Sequence, residues 1–271
     1  MTFSWLRKPR RTFFLYRRLF GAQLKAILEY QSDFYIMIVS AVLTQLLGIV
    51  FLWVVYNRIP DINGWTFWEV VFMYAMVYLT EGFGSLFFEG TWRLGRIVNN
   101  GELDVMLLRP VSPILQVLSY SVGMNGLGNI VIGIIMISQA LIRMDLHWSL
   151  GKIIIAVLLV VTAILIRVSI NLAANTTAFW FKNAGNAFPM MIHNLGEFAK
   201  YPITIFSLGV QLLVAVLIPF AFISFFPAYY LFDKSSAPWF WIACPVAAIY
   251  CAAVAYTVFH FGLRKYESVG N

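Results

Sequence analysis

Charge is what this 271-residue sequence has least of. Asp, Glu, Lys and Arg make up 11% of it, under half of the about 25% usual in soluble domains. Four long runs contain none of them: those between Asp33 and Arg58, Arg109 and Arg143, Lys200 and Asp233, and Lys234 and Arg264. A water-facing surface excludes such runs. Each is long enough to cross the ~30 Å hydrocarbon core, which takes about 20 helical residues. Cysteine is nearly absent too. Cys244 and Cys251 share one apolar run, about two helical turns apart, too far for a disulfide within that helix, so they read as packing residues. A phosphate-binding loop is missing. Lys152 follows Leu150-Gly151 but precedes Ile153, without the upstream glycine or the following Ser or Thr. ATP binding by that motif is excluded.

What is present is 61% hydrophobic residues and a mean hydropathy of +0.80. The net charge of +7 sits at the ends of the apolar runs and in the N-terminal tail. It therefore points to anionic lipid headgroups, not nucleic acid. Residues 5–31 mix Arg7, Lys8, Arg10, Arg11, Arg17, Arg18 and Lys25 with Phe13, Phe14, Leu19, Phe20, Leu24, Ile27 and Leu28. This reads as a helix lying in the interface with its basic residues on phosphates. A disordered basic tail that only sets topology is the alternative. The stretch is too long for a signal peptide and no cleavage site follows the first apolar run, so that run is expected to stay in the mature chain.

The sequence predicts an all-α membrane protein with six transmembrane helices. They are expected near 33–57, 67–90, 115–142, 152–181, 203–226 and 239–263, as one transmembrane domain over 1–271. Pro219 should kink the fifth span and Pro227 close it. With a cytoplasmic N-terminus, fourteen Lys and Arg fall on one side and four on the other. The positive-inside rule then places both termini in the cytoplasm. The longest cytoplasmic connection, 91–114, holds a short helix at 101–109. Asn100 can cap it, Glu102 and Asp104 sit in its first turn, and Arg109 and Pro110 end it. Leu103, Val105, Met106, Leu107 and Leu108 make it too apolar to stand free in water. It should be docked on another protein or on its own membrane face.

Glu81 and Arg167 each lie deep inside a span, at similar depth. A lone charge there costs ~2.5–3.5 kcal/mol, so the two are expected to pair, either for structure alone or along a substrate path. Asn171 and Asn175 extend the polar face of Arg167. Glu69 and Glu89, near the ends of the second span, read as interfacial and solvated. His193 and Glu197 have i, i+4 spacing but no third ligand, so no metal is expected. Gly82-Phe83-Gly84-Ser85 has no placed histidine to serve a protease. No acidic or histidine cluster marks a transferase. The glycines of 120–133 permit close helix packing.

The pieces LDVMLLRPVSPILQVL (103–118), YPITIFSLGVQLLVAVLIPFAFISFFPAYYLF (201–232) and GLRKYESVGN (262–271) resemble permease subunits of ATP-binding-cassette type-2 exporters. The nearest resemblance is to a bacterial branch of stand-alone six-span permeases. It covers nearly the whole chain and implies a non-enzymatic transport subunit in a bacterial cytoplasmic membrane. The expected partners are nucleotide-binding ATPase subunits, a second permease (identical or paralogous) and membrane lipids. This chain would carry no cofactor, with ATP and magnesium held by the ATPase. The helix at 101–109 would be the coupling helix, through Glu102, Leu103, Asp104, Met106, Leu107, Leu108 and Arg109. Arg10, Arg11, Arg17, Arg18 and Lys25 would meet the lipid interface. The competing class is a secondary transporter or channel without an ATPase. It would need a richer intramembrane ion site than Glu81 and Arg167, and it leaves the apolar cytoplasmic helix unexplained.

Overall fold

The computed structural model describes residues 14–18, 20–22, 25, 31–144, 146, 148–181, 186–234 and 240–268. Arg10, Arg11 and most of the expected interfacial helix lie outside them. Of that helix, residues 14–18 and 20–22 are helical. Tyr16 donates to the Phe87 carbonyl, and Phe20 stacks on Phe87 at 5.2 Å. Arg17, Arg18 and Lys25 are exposed.

Among the described residues the regular elements are helical. The helices are α1 (Gln31–Tyr56), α2 (Phe67–Phe88), α3 (Gly90–Asn99), α4 (Glu102–Leu108), α5 (Pro113–Leu118) and α6 (Asn125–Arg143). They continue with α7 (Leu150–Asn175), α8 (Ala187–Leu195), α9 (Leu208–Leu212), α10 (Phe225–Leu231) and α11 (Phe240–Lys265). Four helices among the described residues are long and apolar enough to cross a membrane: α2, α6, α7 extended to Phe179, and α11. The bent pair Leu208–Leu217 and Phe220–Leu231 would make a fifth, and Val42–Tyr56 of α1 is a shorter apolar helix.

α2 is the central helix. Every residue from Glu69 to Thr80 is buried, as expected of a helix that is apolar all round. It packs most closely on α6 because both lack side chains where they touch. A Cβ on Gly126 would stand 2.5 Å from the Gly82 carbonyl oxygen, and one on Gly82 would stand 2.8 Å from the Gly126 carbonyl oxygen. Buried Gln45 donates to Asn129 Oδ1, a polar link between α1 and α6. The third apolar run does not enter as one helix. α5 stops at Leu118, and α6 begins only at Asn125.

The fifth run differs most from expectation. It was expected as one span over 203–226 kinked at Pro219, and the bend does fall there, but it is far sharper than a kink. The two limbs Leu208–Leu217 and Phe220–Leu231 meet at a 72° bend around Ile218–Pro219. Pro227 does not close a helix. It stands in the first turn of α10, where its missing N–H would have no intrahelical partner anyway.

The preceding segment, which falls between the fourth and fifth expected spans, runs antiparallel along α2. His193 lies at Glu81, and Lys200 lies at Tyr78 and Tyr74. Tyr201 meets the Tyr74 ring at 5.9 Å. The Thr204 carbonyl accepts from Asn63, before α2 begins. From Glu81 back to Phe67 is about 21 Å at the helical rise, and residues 193–204 climb that length. Lys200 is therefore buried. Its ammonium lies over the Tyr78 ring at 4.5 Å and meets Glu197. Glu69 is buried as well. It accepts from the Thr66 N–H at 2.8 Å and pairs with Lys234 at 2.9 Å. That pair ties the end of the bent segment to the start of α2.

Candidate functional site

The polar residues of this apolar chain converge on one cavity of about 510 Å³. Helical spacing explains why. Glu81, Ser85 and Glu89 recur every fourth residue of α2 and so form one stripe. α3 continues from α2 and carries the stripe on through Trp92, Arg93 and Arg96. Arg167 and Asn171 are one turn apart on α7. Asn186, Met190 and His193 follow the same rule along α8. All of these line the cavity, with Asn125 at the start of α6.

At its deep end, Arg167 is 1% exposed. Its Nη2 stands 3.5 Å from Glu81 Oε2 and 3.0 Å from His193 Nδ1, and its guanidinium lies 5.6 Å from the Phe220 ring centre. An arginine has only donors, so His193 Nδ1 must accept. The proton of the neutral ring then sits on Nε2, which is 3.6 Å from Glu81 Oε1. Arg167, His193 and Glu81 thus close a three-membered ring joining α7, α8 and α2. Gly196 leaves room for it, since a Cβ there would lie 2.4 Å from Arg167 Nη1. Nearer the other end, Ser85 Oγ is 2.9 Å from Glu89 Oε2 and 3.0 Å from Asn125 Oδ1. Arg93 Nε is 3.9 Å from Glu89 Oε1. Glu89 is thus partly buried and partnered, not freely solvated.

Of the four intramembrane polar residues singled out from the sequence, the cavity gathers Glu81, Arg167 and Asn171. Asn175 does not line it; its amide donates to the Asn171 carbonyl at 3.0 Å. His193 was weighed only as a metal ligand with Glu197, because it stands among residues that read as a loop. Glu197, its supposed i+4 partner, turns to Lys200 instead. The four-residue recurrence Glu81-Ser85-Glu89, running on into Trp92, Arg93 and Arg96, was the signal in the sequence. Among the described residues, no three His, Cys, Asp or Glu side chains group as metal ligands. The arrangement can hold charge and orient hydrogen bonds.

A second feature is α4. Gly101 adopts a left-handed conformation (φ 73°) and separates α3 from α4. Asn100 is therefore not the N-cap. It ends α3, and its side chain reaches Glu102 at 3.3 Å. Leu103 and Met106 are buried in one apolar cluster that also holds Leu94, Ile97, Val98, Val117 and Phe259. These two face the chain's own core. Val105, Leu107 and Leu108 are exposed, Leu108 by 86%, and Arg109 is exposed beside them. Glu102 accepts from the Tyr120 hydroxyl, and that bond, more than burial, holds the phenol above its ordinary range. Asp104 accepts from Ser268 at 2.7 Å. Gln116 donates to the Met106 carbonyl at 2.8 Å, satisfying one of the last acceptors of α4. The helix is thus fastened on one face and bare on the other.

A multi-pass helical bundle around a polar cavity, with a fastened apolar helix at the end of the molecule, is the form of a transport subunit. Residues 42–270 match the family described as ABC-2 family transporter protein, and the chain belongs to it. It is the membrane component, the permease, of an ABC transporter, and not its ATPase. No curated protein and no solved structure shows a significant match.

Proposed function

We propose that this chain is a stand-alone permease subunit of an ATP-driven exporter, of the bacterial six-span branch, and that α4 is its coupling helix. Two permeases would form the path and two ATPase subunits would drive it. The observation that carries this reading is the division of α4 into a buried face and an exposed apolar face. An exposed Leu108 gains roughly 1.5–3 kcal/mol when buried in a partner's groove. Its anchors explain how movement would travel. Leu103 shares one apolar cluster with Leu94, Ile97 and Val98 of α3, and α3 carries Arg93 and Arg96 in the cavity wall. A shift of α4 under ATP-driven closure would therefore reach the cavity through α3, and α11 through Phe259 and the Asp104–Ser268 bond.

In this reading the chain crosses the membrane six times. α1, α2, α6, α7 and α11 make five crossings. The irregular stretch 187–205 makes the other, and 208–231 forms a broken segment on the far side of it. Lys200 leaves the cytoplasmic set, and the bias of Lys and Arg remains thirteen to four. Both termini, α3 and α4 then face the cytoplasm.

Co-purification tests the coupling role. A tagged permease is expected to bring its ATPase with it, and Leu108→Asp to abolish that while the permease stays folded in the membrane. Leu103→Asp should instead lower the amount of permease itself, because it places a carboxylate in the α3–α4 core. An intact complex with Leu108→Asp would move the docking site elsewhere.

A further inference from the structure

We propose that the mouth of the polar cavity binds the anionic head, a phosphate or carboxylate, of an amphipathic molecule through Arg93 and Arg96. The proposal rests on the cavity being part of the transport path, and it names what that path accepts.

The charges in the cavity are unequally partnered. At the deep end Arg167 faces Glu81 and His193 at 3.5 and 3.0 Å. At the mouth, Arg93 and Arg96 stand about one turn apart on α3 and both line the cavity. Arg93 has only a long contact, 3.9 Å, with Glu89, and its side chain is 41% exposed. Arg96 is exposed, and its side chain makes no ion pair with any described residue. Three arginines thus face two glutamates, and the surplus positive charge sits at the opening. Forked guanidinium groups match the oxygens of a phosphate or carboxylate in a way an ammonium cannot. A cationic ligand would find Glu81 facing Arg167 and Glu89 accepting from the Ser85 hydroxyl, with an arginine beside each. The cavity is also within the range of about 300–1,000 Å³ typical of small-molecule sites.

The amphipathic part follows from α8. Its Asn186 and His193 line the cavity, while Phe188, Met190 and Met191 are about half exposed. Met190 belongs to both, since it also borders the cavity. A ligand whose head occupies the arginines has an apolar surface at hand for its tail, and methionine adapts to irregular chains.

The test is binding to the full permease in nanodiscs of neutral phosphatidylcholine, at fixed ionic strength. The probes are dodecyl phosphate, inorganic phosphate and dodecyltrimethylammonium. Dodecyl phosphate should bind saturably. Arg96→Gln and Arg93→Gln should each weaken it about tenfold or more, the scale of one lost charge-assisted hydrogen bond. Lys265→Gln, a basic residue outside the cavity, should leave it unchanged. Competition by inorganic phosphate would show that the head alone is recognised, so that a soluble anion also qualifies. Binding of dodecyl phosphate without such competition would assign the site to lipid-like molecules; either result supports the proposal. No saturable binding, equal binding of dodecyltrimethylammonium, or equal loss in all three variants would overturn it. Arg96 is exposed, and size-exclusion profiles verify that its variant is folded. The assay needs no ATPase, so its failure leaves the docking role of α4 untouched, and failure of docking leaves the binding result intact.

Discussion

Among single residues, the Glu81–Arg167 contact makes the sharpest demand. The two are unequal partners, because Arg167 is 1% exposed and the Glu81 side chain 25%. Removing the carboxylate strands a buried cation, which typically costs ~3–5 kcal/mol. Removing the arginine leaves Glu81 on a cavity that water can enter. Glu81→Gln should therefore lower thermal stability in detergent more than Arg167→Met does. The double variant should recover most of the loss, with a coupling read from the cycle. Simple additivity would mean the contact contributes nothing. That the two would meet was legible in the sequence, because a charge inside an apolar run needs a partner. His193 was not legible, because nothing local to it reveals that α8 lies against α2.

At the scale of elements, the long apolar helices could be read from their lack of charge, and the fifth run could not. Lys200 reads as the end of a membrane span because a bare ammonium there is expensive. Here Glu197 and the faces of Tyr74 and Tyr78 enclose it, so a charge sits where counting forbids one. The long run after it then forms two limbs bent by 72° instead of one continuous helix. The glycines of α6 were legible in kind, and the structure supplies their partners. Gly126→Val should force α2 and α6 apart, since a Cβ meets the Gly82 carbonyl oxygen at 2.5 Å and the Leu86 amide nitrogen at 2.7 Å. Overpacking of this kind typically costs about 1–3 kcal/mol, and backbone contact places it at the upper end. Gly209→Ala is the control. It has nothing within 4 Å of the added carbon and should be neutral or stabilise by about 0.4–1 kcal/mol. Comparable melting temperatures for the two variants would contradict the close packing.

For the whole molecule, transport requires the two ends of the bundle to face different compartments. On the proposed coupling role, α4 would share the ATPase's side, and Thr204, which lies beside Asn63 beyond the start of α2, would face the other. The chain between them would carry the cavity and its arginines from one side toward the other, and the 187–205 stretch would be a true crossing. Cysteine accessibility measures this directly. In a background with Cys244 and Cys251 replaced by alanine, single cysteines go in at Asn100 and Thr204, both exposed. They are then treated with a membrane-impermeant maleimide. Thr204→Cys should label in intact cells, and Asn100→Cys only after the cells are opened. Labelling of Asn100→Cys in intact cells, or protection of Thr204→Cys until they are opened, would contradict the account.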